Sequence, residues 1–249
     1  MTIKCFKNIL FILALLLPVQ RGQTQDHSIH VLFIGNSLTQ VNNLPGMIAD
    51  LAKQQGIDMS VDMYTPGGYT FEAHAKDAHV LAKINQENWD FVVLQEQSQR
   101  PALPEAHVRQ FVFPYAEQIC QQVRQANPKA QIIFYMTMAK KDAAYTEKQT
   151  KINTSYALLA QENKALLAPV GKAWQSFRQQ HPSVNIYADD THPNPAGTYL
   201  TACVFFKTFF NQSVIGLTHP GKINNQTAQL IQHLVEKNYV FWVFKGHST

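Results

Sequence analysis

The chain has 249 residues, 45% apolar and 15% charged, with three cysteines and a formal charge of +4. That length and apolar content suit one globular domain with a sizeable core, and exclude a disordered chain or a small disulfide-stapled scaffold. The positive excess reads as a nucleic-acid signal only if it belongs to the folded part, and its location says otherwise.

Lys4 and Lys7 precede an unbroken apolar run at residues 9–17, and residues 18–25 turn polar. A positive start, a short apolar stretch and a polar exit form the layout of a secretory signal peptide. The run is far short of the ~20 residues that span a bilayer. Residues 1–22 are therefore expected to be a signal peptide and residues 23–249 a single domain. The product would be secreted or periplasmic, with no stable membrane insertion after cleavage; an uncleaved anchor is the alternative. Cleavage there removes Lys4, Lys7 and Arg21, leaving 18 Lys and Arg against 17 Asp and Glu, a formal charge of about +1. The basicity is largely a targeting signal, and no nucleic-acid partner is expected. Cys120 and Cys203 remain. Export permits a disulfide, but both lie in helical patterns with apolar neighbours, which suits two buried thiols equally well. No Cys/His cluster and no His-Glu-x-x-His is present, so neither metal nor cofactor is expected.

Five short apolar runs follow, at residues 30–34, 59–64, 91–94, 131–136 and 165–170, the last the least strand-like. Near-continuous apolar runs of this length suit strands covered on both faces. Between them, helical patterns occupy residues 45–55, 71–85, 104–126 and 143–163. A last long helix is predicted after His192, with Asn194 as cap and Pro195 in its first turn. Residues 199–210 are apolar nearly all round, which predicts a buried helix. Residues 238–249 are aromatic-rich, and packing on the core is their plain reading. The alternation predicts an α/β fold with a parallel sheet.

Ligands of such sheets collect at the carboxyl ends of the strands. Ser37 stands just past the first strand, in Gly35-Asn36-Ser37-Leu38-Thr39. Gly67 and Gly68 follow the second strand, and Gln95, Glu96 and Gln97 the third. Late in the chain comes Asp189-Asp190-Thr191-His192-Pro193-Asn194. A serine hydroxyl needs a base to take its proton, and His192 is the candidate. A carboxylate on the far ring nitrogen would fix the tautomer; Asp189 is favoured over Asp190, because a three-residue offset folds the acid back beside the ring. A tetrahedral oxyanion needs donors already in place. The candidates are the N–H of Ser37, an N–H at Gly67 or Gly68, and the amide of Gln95 or Gln97. His74, after the glycine turn, is a candidate for the substrate pocket.

These residues resemble the SGNH (GDSL-type) hydrolase superfamily. The first block is Gly35-Asn36-Ser37; the last is Asp189-x-x-His192-Pro193-Asn194 with Gly197 beyond. The resemblance covers residues 30–200 and implies a flavodoxin-like three-layer α/β/α fold with a central five-stranded parallel sheet and a metal-free serine hydrolase site. The Gly-x-Ser-x-Gly nucleophile elbow is not met, since Thr39 stands at its second glycine. The third block departs from the usual Gly-x-Asn-Asp: Leu94-Gln95-Glu96-Gln97-Ser98 stands there, as in a branch with that motif. Counting from the strand end puts Gln97 on the family asparagine. Comparison with the Gln-Gly-Glu motif of sialic-acid O-acetylesterases puts Gln95 there instead. With the signal peptide, the resemblance points to a secreted serine esterase acting through an acyl-Ser37 intermediate. Export and a polar predicted rim of Asn42, Asn43, Tyr69, Glu72, Gln97, Gln99 and Arg100 favour small acyl esters, O-acetyl groups on carbohydrate being the favoured case. The alternatives are a lipase or thioesterase for longer chains, and a non-catalytic carbohydrate-binding protein that kept the fold.

Overall fold

A computed structural model of the chain describes residues 28–219 and 221–244. The signal-peptide reading falls on residues 1–22 and lies outside them. The five predicted strands are present: β1 (Ile29–Ile34), β2 (Met59–Tyr64), β3 (Phe91–Leu94), β4 (Gln131–Tyr135) and β5 (Leu166–Ala168). They form one all-parallel sheet in the order β2-β1-β3-β4-β5. This is the doubly wound, flavodoxin-like order, and helices cover both faces in three layers.

The inner strands are apolar on both faces because both faces are covered. Register places Val31, Phe33, Phe91, Val93, Ile133 and Tyr135 on one of them. That face is covered by α9 (Pro195–Phe210). Its Phe205 packs edge-on against Phe33 and Tyr135, with ring centroids 5.9 and 5.1 Å apart, and Phe209 lies 4.9 Å from Phe91. Each fully buried ring among them, Phe33, Tyr135 and Phe205, contributes roughly 2–3 kcal/mol. Helices α2 (Leu44–Gln54), α8 (Val170–Gln180) and α10 (Asn225–Phe244) pack around α9, which explains why it is buried nearly all round. On the opposite face Phe134 meets Phe71, the first residue of α3 (Phe71–Lys76), at 6.0 Å. There α3, α4 (Ala78–Ile84) and α5 (Glu105–Phe111) pack on α6 (Phe113–Ala126), while α7 (Tyr145–Glu162) packs on β4.

Two predicted helices are each broken in two. Residues 71–85 divide at Asp77, which is extended (φ −92°, ψ 118°) and whose carboxylate accepts the His79 N–H to cap α4. Residues 104–126 divide at Val112 (φ −119°). Pro114 has no N–H to return to the preceding turn, so a new helix starts with proline at its second position. Sequence reading missed α8 and α10, and α10 takes up the start of the aromatic tail. Cys120 and Cys203 are buried free thiols in α6 and α9. Burial pushes each up to about 12, so both are inert.

Candidate active site

The first three strands deliver their loops to one edge in register. Gly35 N–H donates to the Tyr64 carbonyl, and Gln95 N–H to the Ile34 carbonyl. Asn36 then turns the chain. Its side-chain oxygen accepts the Leu38 N–H at 3.2 Å and starts the single turn α1 (Ser37–Gln40). Its amide nitrogen donates to the Tyr69 carbonyl at 3.0 Å, tying the nucleophile loop to the turn after β2.

Ser37, first in that turn, has its Oγ 3.0 Å from His192 Nε2. His192 Nδ1 lies 2.9 Å from Asp189 Oδ2. Asp189 Oδ1 also accepts the N–H groups of Thr191 and His192, at 2.6 and 2.7 Å. The His192 N–H bond, then that of Thr191, then the imidazole hold the carboxyl well below the usual carboxylate range. Asp189 is therefore ionised, and bonding assigns the ring proton to Nδ1, leaving Nε2 free to accept from Ser37. Among the described residues Asp190 bonds only through its backbone carbonyl, to the Lys141 N–H. The loop is closed by an antiparallel bridge between Tyr187 and Pro193. Asn194 caps α9 through the Gly197 N–H at 3.0 Å. A side chain at Gly197 would run into the Ile186 carbonyl and the Trp174 ring, so glycine lets α9 start against this loop. Asn42 bonds the Pro193 carbonyl and Thr198 Oγ1 at 3.2 and 2.8 Å, joining the serine end to the histidine end.

The oxyanion candidates separate into free and committed groups. Ser37 N–H, Gly67 N–H and Gly68 N–H donate to no other described residue. Gly67 and Gly68 form an exposed turn, and Gly68 takes φ +72°, which favours glycine. Gln97 Oε1 accepts from the Gln99 and Arg100 N–H groups at 2.8 and 3.2 Å, and its Nε2 has no acceptor among the described residues. Gln95 is different. It is fully buried, its Oε1 accepts from Asn36 N–H and Thr39 Oγ1, both at 3.0 Å, and its Nε2 donates to the Glu96 carbonyl at 2.6 Å. Its carbonyl oxygen thus braces the nucleophile loop and one of its two amide N–H groups is committed to the Glu96 carbonyl, whereas Gln97 Nε2 has no such commitment. A Cβ at Gly35 would sit 2.7 Å from Gln95 Oε1, so this brace requires the glycine. No group of three or more His, Cys, Asp or Glu among the described residues is placed to hold a metal ion.

Among solved structures the chain is similar to a protein described as an SGNH hydrolase from Slackia heliotrinireducens. The match has 28% identity, covers 74% of this chain and 100% of that one, and has a TM-score of 0.61. The chain belongs to the SGNH/GDSL hydrolase superfamily. The same fold recurs in an acetyl xylan esterase, AlAXEase, at 16% identity, 72% and 98% coverage and TM-score 0.59. It recurs again in TesA, at 17% identity, 73% and 98% coverage and TM-score 0.56. No protein-family model matches, and no curated protein matches.

In this SGNH hydrolase His74 does not line a substrate pocket. It is wholly buried, with Nε2 2.9 Å from the Gly35 carbonyl and Nδ1 without a partner. Burial pushes it down to about 4, so it is neutral and donates to Gly35 from behind the nucleophile loop. The pattern held a clue: Phe71, His74 and Ala75 share the buried face of α3. Glu96 was missed as well. It is also fully buried, and its carboxylate accepts the Phe71 N–H at 3.0 Å and the Gln97 N–H at 2.6 Å.

Proposed function

We propose that the protein is an exported serine esterase that removes small acyl groups, O-acetyl above all, from carbohydrate. The observation that carries this reading is the chain of hydrogen bonds from Ser37 Oγ to His192 Nε2 at 3.0 Å, and from His192 Nδ1 to Asp189 at 2.9 Å. His192 takes the Ser37 proton as Oγ attacks the ester carbonyl carbon. Negative charge on the carbonyl oxygen meets the Ser37 N–H, an N–H of Gly67 or Gly68, and Gln97 Nε2. As the bond to the alcohol breaks, His192 returns the proton to the leaving oxygen. Water then attacks acyl-Ser37 with the same base, releasing a carboxylic acid and restoring the serine.

Two things support a small acyl group on a polar alcohol. His192 and Asp189 lie in an open rather than enclosed setting, their side chains 34% and 58% exposed. The partly exposed residues that follow β2 and β3 include Tyr69, Glu72 at the start of α3, Gln97, Gln99 and Arg100, a polar set suited to hydroxyl-rich substrates. The fold likeness to an acetyl xylan esterase agrees with this. Export, read from residues 1–22, would place the enzyme where extracellular or periplasmic glycans are met.

The test is hydrolysis of p-nitrophenyl acetate by wild type and Ser37→Ala. The variant should lose activity while keeping its thermal transition, and retained activity would overturn the mechanism. An acetyl-to-palmitoyl ester series should show the best turnover at acetyl. A preference for long chains would move the assignment to a lipase or thioesterase. Failure of a fluorophosphonate to label Ser37 would favour a non-catalytic carbohydrate-binding protein.

A further inference from the structure

Three loops converge on the proposed oxyanion site, and each is tied to another by a polar side chain at the sheet edge. Asn36 ties the nucleophile loop to the turn after β2, through the Tyr69 carbonyl. Gln95 ties the nucleophile loop to the loop after β3. Glu96 closes the triangle. One of its oxygens accepts the N–H of Phe71, where the Gly67-Gly68 turn runs into α3, and the other accepts the N–H of Gln97. The free donors of those two loops are therefore held together through one carboxylate.

We propose that ionised Glu96 is a positioning residue that holds the glycine turn and Gln97 in the relative placement the oxyanion site needs. The inference rests on the esterase reading and deepens it: turnover would depend on the charge of a group that touches no substrate. Both carboxylate oxygens face N–H donors, so a proton on either opposes a donor and loosens one tie. Burial pushes the group up to about 7, against the pull of the Phe71 and Gln97 N–H bonds. The charged groups acting on it are Arg100, in the turn after β3, which favours ionisation, and Glu72, on α3, which opposes it. From α7, the Tyr156 hydroxyl accepts the Glu96 N–H, and burial keeps that hydroxyl protonated. The clamp thus changes protonation close to neutral pH.

Glu96→Gln keeps the shape and one acceptor but cannot ionise. On p-nitrophenyl acetate at about pH 8.5 its kcat should fall roughly 10- to 100-fold with KM little changed, as expected for misplaced oxyanion donors. The gap should close towards about pH 5.5, because wild-type Glu96 is then protonated and resembles the variant. A merely structural role would lower kcat by a factor independent of pH. A constant ratio, or a ratio near one throughout, would overturn the proposal. An independent measurement needs no variant. In wild type, the amide resonances of Phe71 and Gln97 should titrate together near neutral pH, and flat resonances would sink the clamp. Failure of the underlying reading looks different: wild type itself would show no Ser37-dependent hydrolysis.

Discussion

The side chains of His192 and Asp189 are 34% and 58% exposed, whereas Gln95, Glu96 and His74, behind the nucleophile loop, have no exposed surface. The acid–base arm is local: two residues three apart, in a loop closed by its own hydrogen bonds. The oxyanion arm is long-range, with Gln95 reaching Asn36 across 59 residues of sequence and His74 reaching Gly35 across 39. Exposed charges are screened by water and salt, while buried polar groups act at full strength and are costly to leave unpaired. The contrast teaches that the exposed acid should be the most dispensable of the reacting groups, and that the buried arm should tolerate substitution poorly.

Four substitutions test that contrast. His192→Ala removes the proposed base and should lower kcat/KM on p-nitrophenyl acetate by about 10³-fold or more, measured by initial rates. Gln97→Leu should lower kcat roughly 10²-fold with KM little changed, since it deletes a proposed oxyanion donor. An unchanged kcat would move the third donor away from Gln97. Gly197→Ala should cost roughly 2 kcal/mol of stability in urea unfolding, because the methyl overlaps the Ile186 carbonyl and the Trp174 ring. Asp189→Asn should lower kcat only about 10-fold, because the exposed imidazole is also solvated by water. A loss as large as that of His192→Ala would break the comparison. The depressed carboxyl of Asp189 stays ionised through mild acid, so it adds no inflection to the rate profile there.

The sheet was legible because strands covered on both faces leave nearly unbroken apolar runs. The triad was legible because its acid and base share one short motif, and its serine lies at a strand end. The break at Pro114 was there to be read, since a proline inside a helical pattern ends it. Helix α8 was also readable: Val170, Ala173, Trp174 and Phe177 keep helical spacing and are buried. It was hidden by extending the fifth strand to residue 170, whereas β5 ends at Ala168. The inner oxyanion arm was not legible. Glutamine, glutamate and histidine read as surface residues until distant partners accept their polar atoms, and those partners are set by the fold. Gln95 and Gln97 lie two residues apart in one motif. Neighbours alone decide that one braces a loop and the other keeps a free amide.

The burial of His74 and Glu96 also sets how folding couples to protons. Unfolded, His74 gains a proton below about pH 6.5 and Glu96 below about pH 4.5; in the fold these points move down to about 4 and up to about 7. From pH 7 to 4.5 the fold holds a proton on Glu96 that the unfolded chain lacks, so this contribution is full below 4.5 and lost as pH rises through 7. From pH 6.5 to 4 the unfolded chain holds a proton on His74 that the fold refuses, so this contribution is full above 6.5 and lost as pH falls through 4. The two displacements are similar in size and opposite in sense, and largely cancel across mild acid. Wild-type Tm should therefore change little between about pH 7 and 5, while that of Glu96→Gln should fall, as scanning calorimetry would show. The enzyme can then change the charge beneath its active site with little net change in the stability of the fold.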